Sequence, residues 1–293
     1  MKSVKTESRV DLPGTLRLGA QAAFTMIEIA ISLAVIGFAL VAIIGILPTA
    51  MNVQKDNRHE TIINQDNSLL MNAIRNGERG MDDLTNYVLA ITNYQTVFNP
   101  RGVPTRNTYG YTRTVSTLNG ARTNPQWLLT NGFSIIGLMS TPQIIPLGNG
   151  AVANGFVSNH LVALVRSISG PADEKTPQTN STVQDFALSY RLFPTLVEFG
   201  TNFYDPTWTN FGDKSISSNT NLVTTRSNYM SLVKYYETNM HELRMTFRWP
   251  VLPNGSSGPG RQVFRMLVDG PYTNDPPGSP YFFIRPNVYY KGS

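Results

Sequence analysis

The chain has 293 residues, 24 Lys+Arg against 19 Asp+Glu, a formal net charge of +5 and no cysteine. At 15% charged residues, it is too sparsely charged for a long charged helical array or a highly charged disordered tail. Zero cysteine excludes disulfide scaffolds, zinc ribbons, iron–sulfur ligation and thiol nucleophiles, and without a Lys/Arg-rich run nucleic acid is not an expected partner.

Polarity comes instead from uncharged groups, 26 Asn and 29 Thr. Residues 1–23 are polar and modestly basic, with Lys2, Lys5, Arg9 and Arg17 against Glu7 and Asp11. From Ile29 to Leu47 there follow 19 residues without a charge, Ser32 being the only clearly polar side chain. As a helix this run spans roughly 28 Å, close to the ~30 Å hydrocarbon core of a bilayer. A core helix of a soluble domain would carry a polar face, and this run has none. A secretory signal peptide fails on order: the small-residue stretch Ala20-Gln21-Ala22 precedes the apolar run, whereas a signal peptidase site follows it. Four basic residues stand before the span and only Lys55 and Arg58 follow closely. This bias places the amino terminus in the cytoplasm and the rest of the chain outside it.

Glu28 breaks the pattern. A carboxylate at the edge of an apolar span is costly to hold in lipid and calls for a partner. A cut between Ala23 and Phe24 would create an α-ammonium about one turn away. In a bundle of staggered helices, that ammonium could neutralise a neighbour's Glu28, and such a pair would gauge correct assembly.

The motif Ala23-Phe24-Thr25-Met26-Ile27-Glu28-Ile29, followed by the long apolar helix, resembles the type IV prepilin family, including the pseudopilins of type II secretion. Ala23 stands where that family usually has Gly. The resemblance implies cleavage before Phe24 by a membrane prepilin peptidase, N-methylation of Phe24, and extraction from the bacterial inner membrane into a filament. Its implied partners are that peptidase, other pilin or pseudopilin subunits, an inner-membrane assembly platform, and membrane lipid before assembly. No cofactor is implied. Four further segments are similar to a prepilin-like group called Verru_Chthon cassette protein B. These are Ile46-Leu-Pro-Thr, Ile136-Gly-Leu-Met-Ser-Thr-Pro142, the strand beginning Asn159-His-Leu-Val, and Arg248-Trp-Pro.

Gly45 and Pro48 are expected to kink or end the apolar helix. Residues 51–76 read as an amphipathic helix with Ile62/Ile63, Leu69/Leu70 and Ala73/Ile74 on one face, stopped by Asn76-Gly77. A second short helix over 81–94 is expected from Leu84, Val88 and Ile91. Beyond Phe98 the pattern turns to short β-branched and aromatic runs, with strands expected at 109–118, 160–168, 185–192, 241–249 and 262–268. The last two flank a long hairpin loop over 250–260. Leu243, Met245, Phe247 and Trp249 share one face of the first, and Phe264, Met266 and Val268 one face of the second. Residues 125–139 fit a short helix or two brief strands equally. Residues 202–221, with Tyr204, Trp208 and Phe211, read as a long exposed loop.

The expected fold is thus α+β and pilin-like, a long amino-terminal helix on an antiparallel sheet. Its expected parts are a leader (1–23), a transmembrane or filament-core helix (24–50), an amphipathic helical segment (51–97) and a β-rich head (98–293).

Catalysis is not expected. His59, His160 and His241 are far apart in sequence, and no H-E-x-x-H, G-x-S-x-G, P-loop or G-x-G-x-x-G occurs. Asp269 and Asp275 flank a turn that offers oxygens to calcium, although ordinary turn chemistry accounts for them better. Three functions follow. The first is a structural subunit, a minor pilin or pseudopilin, of a pilus-like or type II secretion filament. The second is a pilus-borne adhesin or DNA-uptake module using the basic pI near 9.4 and exposed aromatics such as Tyr204 and Trp208. Loss of the leader removes four basic and two acidic residues and lowers the net charge from +5 to +3, which weakens this version. The third is an uncleaved single-span membrane protein.

Overall fold

The computed structural model describes residues 24–77, 79–99, 104–112, 129–147, 155–170, 188–199 and 220–290. The chain divides into two compact units, Met1–Asp56 and Asn57–Ser293. One helix, α1 (Met26–Arg75), enters both. In the first unit every described residue is exposed, including the whole apolar run. Pro48 lies inside α1 and does not end it. One missing N–H and one clash with the preceding turn are absorbed by the helix formers that follow, among them Ala50, Met51 and Gln54.

In the second unit α1 buries Ile62, Ile63, Asp66, Asn67, Leu70, Met71, Ala73 and Ile74, the amphipathic stripe expected from periodicity with two polar residues inside it. The helix stops at Gly77, whose φ of +58° favours glycine and whose missing Cβ would lie 2.4 Å from the Ile284 carbonyl oxygen.

The expected second helix is replaced by a 3-10 turn (Asp82–Asn86) and a strand, β1 (Val88–Phe98). Leu84, Val88 and Ile91 are indeed buried. A bulge between Val88 and Ala90 lets residues three apart point the same way, so a strand imitates helical spacing here. Then come β2 (Pro104–Thr112), α2 (Gly132–Met139), β3 (Ile144–Pro146), β4 (Phe156–Arg166) and β5 (Ser189–Glu198). The chain continues through a helix, α3 (Thr220–Asn239), into β6 (Met240–Val251), β7 (Ser257–Asp269), β8 (Tyr272–Asn274) and β9 (Phe282–Ile284).

Seven strands form one antiparallel sheet in the order β2-β1-β4-β5-β6-β7, with β3 pairing the free part of β4's edge. Strands β8 and β9 form a separate ribbon. The α+β class is therefore as expected: an apolar amino-terminal helix followed by an antiparallel sheet. All five expected strands are present, with shifted bounds. β2 begins before 109, and residues 113–118 and 185–187 lie outside the described set. The hairpin loop is shorter than expected, because Val251 still pairs with Ser257. Leu243, Met245, Phe247 and Trp249 are all buried, and the alternation on β7 also places Phe264, Met266 and Val268 inward. For 125–139 the helix wins over its described part, as Asn131 caps it by accepting from the Ser134 N–H at 2.9 Å.

Helix α3 is a second departure. The expected loop over 202–221, with Tyr204, Trp208 and Phe211, falls outside the described residues except for Thr220 and Asn221, which begin this helix. Its Asn- and Thr-rich sequence shows no apolar stripe that would have announced it. At its end the buried Asn239 donates to the carbonyls of Tyr235 (2.9 Å) and Tyr290 (2.7 Å) and accepts from the Tyr290 N–H (2.8 Å), tying the carboxy-terminal segment down.

Candidate functional site: the first turn of the apolar helix

Ala23 lies outside the described residues. Phe24 is 80% exposed, and α1 begins two residues later. Thr25 and Glu28 form a capping box at this end. The Thr25 N–H donates to Glu28 Oε2 at 2.8 Å, the Thr25 hydroxyl donates to the same oxygen at 2.9 Å, and the Glu28 N–H reaches back to Thr25 Oγ1 at 3.4 Å. Two orphan donors of the helix start are thereby satisfied. The T-x-x-E spacing is the sequence signal of this role. Glu28 also supplies the negative charge favoured at a helix amino terminus.

Beyond this turn, from Ile29 to Leu47, the helix presents apolar side chains apart from Ser32. It is long and apolar enough to cross a membrane, and Phe38 (81%) and Val41 (71%) show how fully its side chains are uncovered. A Cβ placed on Gly45 would meet nothing within 4 Å, so this glycine leaves an open notch on the helix surface.

The other sequence-derived candidates do not join this site. Asp275 is held by two guanidiniums, those of Arg79 at 2.7 Å and Arg285 at 3.0 Å. A carboxylate so engaged is a poor calcium ligand. Asp269 is exposed at the end of β7, and among the described residues no group of three His, Asp or Glu side chains could hold a metal. His160 is exposed on the sheet, whereas His241 is 1% exposed on β6 and neither ring nitrogen has a hydrogen-bond partner.

Burial pushes the His241 pKa down to about 4. The unfolded chain therefore binds a proton that the fold rejects. Stability should fall by about 3 kcal/mol as pH drops from about 6.5 to about 4. Glu198, opposite His241 in the strand register, is raised by burial and by the charge of Glu237, so it titrates in the opposite sense. The two are separated by denaturant melts of wild type and His241→Phe across that range. The histidine account requires the variant to lose this acid sensitivity, and an unchanged pH slope would refute it.

Sequence reasoning missed Asp66. It is fully buried in α1 and accepts the N–H groups of Ile168 (2.9 Å) and Ser169 (2.8 Å) and the Tyr190 hydroxyl (2.9 Å). Burial raises its pKa despite these hydrogen bonds, and burial together with the adjacent carboxylate pushes the Tyr190 hydroxyl well above its ordinary value. These bonds clasp α1 to the sheet.

The chain matches no protein-family model, no curated protein and no solved structure.

Proposed function

We propose that the chain is a structural subunit, a minor pilin or pseudopilin, cut between Ala23 and Phe24 by a prepilin peptidase and assembled through α1 into a pilus-like or type II secretion filament. The observation that carries this reading is the coincidence at one helix end. A Phe-Thr-x-x-Glu motif opens a fully uncovered apolar helix, and that helix continues into a head with its own core. Such a helix needs an apolar environment, first lipid and then neighbouring helices. In this reading the fold is pilin-like, α1 anchors a single-pass protein in the bacterial inner membrane with a cytoplasmic amino terminus, and the sheet-bearing head lies outside. Phe24 becomes the methylated amino terminus, and its ammonium pairs with Glu28 of an adjacent subunit.

The capping box favours one competing reading. It gives Glu28 a local purpose, which an uncleaved single-span membrane protein would need as much as a filament subunit. Co-expression with a prepilin peptidase distinguishes the two. The filament reading expects a shortened product, abolished when Ala23→Arg blocks the cut; an unchanged full-length chain with active peptidase favours the uncleaved protein.

A further inference from the structure

The face of the sheet opposite the core carries an arrangement that the filament reading does not use. Strand register sets Arg191 on β5 directly opposite Arg248 on β6, and Arg248 directly opposite Arg261 on β7. Like charges facing one another across a sheet are destabilising. Two rows along the same face, Arg244 faces Arg265, but Glu242 sits at 2.6 Å from the first and 3.8 Å from the second. Those two guanidiniums thus share one carboxylate. The Arg191–Arg248–Arg261 row has none: among the described residues its only relief is uncharged. Arg191 donates to the Gly255 carbonyl, and the Arg248 guanidinium lies 5.5 Å from the centre of the Phe193 ring.

Planar groups lead up to this row across the strands. Tyr94 on β1 is 6.5 Å from His160 on β4, and His160 is 6.0 Å from Phe193 on β5. The rings are tilted to one another by 41° and 38°, so they do not close their faces by mutual stacking. Tyr94 is half-exposed, and His160, Arg248 and Arg261 are exposed. A path of three rings ending at three arginines thus crosses five strands.

We propose that this face is a docking platform for a single-stranded nucleic acid. Bases would lie on Tyr94, His160 and Phe193, and phosphates would supply the missing anions at Arg191, Arg248 and Arg261. Single strands bind to such platforms because every base has a flat face and every linkage a charge. An acidic peptide supplies the charge without flat faces, and a duplex keeps its base faces hidden. The composition-based expectation against nucleic acid rested on the absence of a basic run. Here the arginines are 57 and 13 positions apart in sequence, and only the register gathers them.

The test uses the full chain in nanodiscs of zwitterionic lipid and a fluorescent oligothymidylate read by anisotropy. Binding is expected at about 50 mM salt and should weaken steeply as salt rises. Phe193→Ala should weaken it roughly 5- to 100-fold, and Arg261→Gln should lower the salt slope by about one. Tyr94→Ala, at a half-exposed side chain, repeats the stacking test should the Phe193 variant misfold. Absence of binding at low salt overturns the proposal. So does binding that neither aromatic variant moves, or that duplex DNA or heparin matches, since these describe a general anion exchanger. None of these outcomes depends on processing at Phe24.

Discussion

Asp66→Ala is expected to lower the unfolding free energy by about 3–5 kcal/mol, a large share of a domain's usual margin. The substitution leaves two backbone N–H groups and the Tyr190 hydroxyl facing a void where an acceptor stood. Asp66→Asn keeps the volume and one acceptor but turns an amide donor toward groups that are all donors, so it should lie between. The pH dependence has a definite sign. The folded pKa of Asp66 is raised by burial, so the folded state holds a proton that the unfolded state has released. This group's contribution is complete below the unfolded carboxylate range and declines as pH rises through the folded pKa. Chemical denaturation of wild type and Asp66→Asn across the acidic range should show wild type gaining on the variant as pH falls. A loss of less than about 1 kcal/mol in Asp66→Ala, comparable to an ordinary surface change, would refute the clasp.

At the other end of α1, Glu28→Ala is expected to leave membrane insertion intact and reduce incorporation into filaments about a hundredfold. The size follows from leaving an unpaired α-ammonium among apolar helices, a cost similar to that of a charge at mid-membrane. Glu28→Gln separates the two roles of this side chain. Glutamine at this position still completes the capping box with Thr25 but carries no charge. The assembly account requires Gln to fail as Ala does when subunits are counted by co-purification. Normal incorporation of Glu28→Gln with failure of Glu28→Ala would reduce Glu28 to a helix cap.

The two helix ends were unequally legible in the sequence. The apolar run announces itself by length and the stripe beneath the sheet by period, because long helices sum many weak signals. Asp66 lies on that same stripe, between Ile62/Ile63 and Leu69/Leu70. A lone acid there is the visible sign of a buried acceptor, but its donors come from residues 168, 169 and 190, which no local window contains. β1 was misread because a bulge reproduces helical spacing at Val88 and Ile91. α3 was missed because its Asn and Thr residues speak for turns, and its clasp through Asn239 closes on a residue 51 positions away. The arginine row exists only through strand register. Side-chain periodicity thus reports each element's own burial, whereas buried polar clasps and charge rows depend on which elements meet.

The central claim concerns the first residue of the mature chain, and mass spectrometry of the protein purified from membranes or filaments reads it directly. A chain beginning at Phe24 with a methylated amino group is the predicted result. A chain that retains Met1 and residues 2–23 would contradict it.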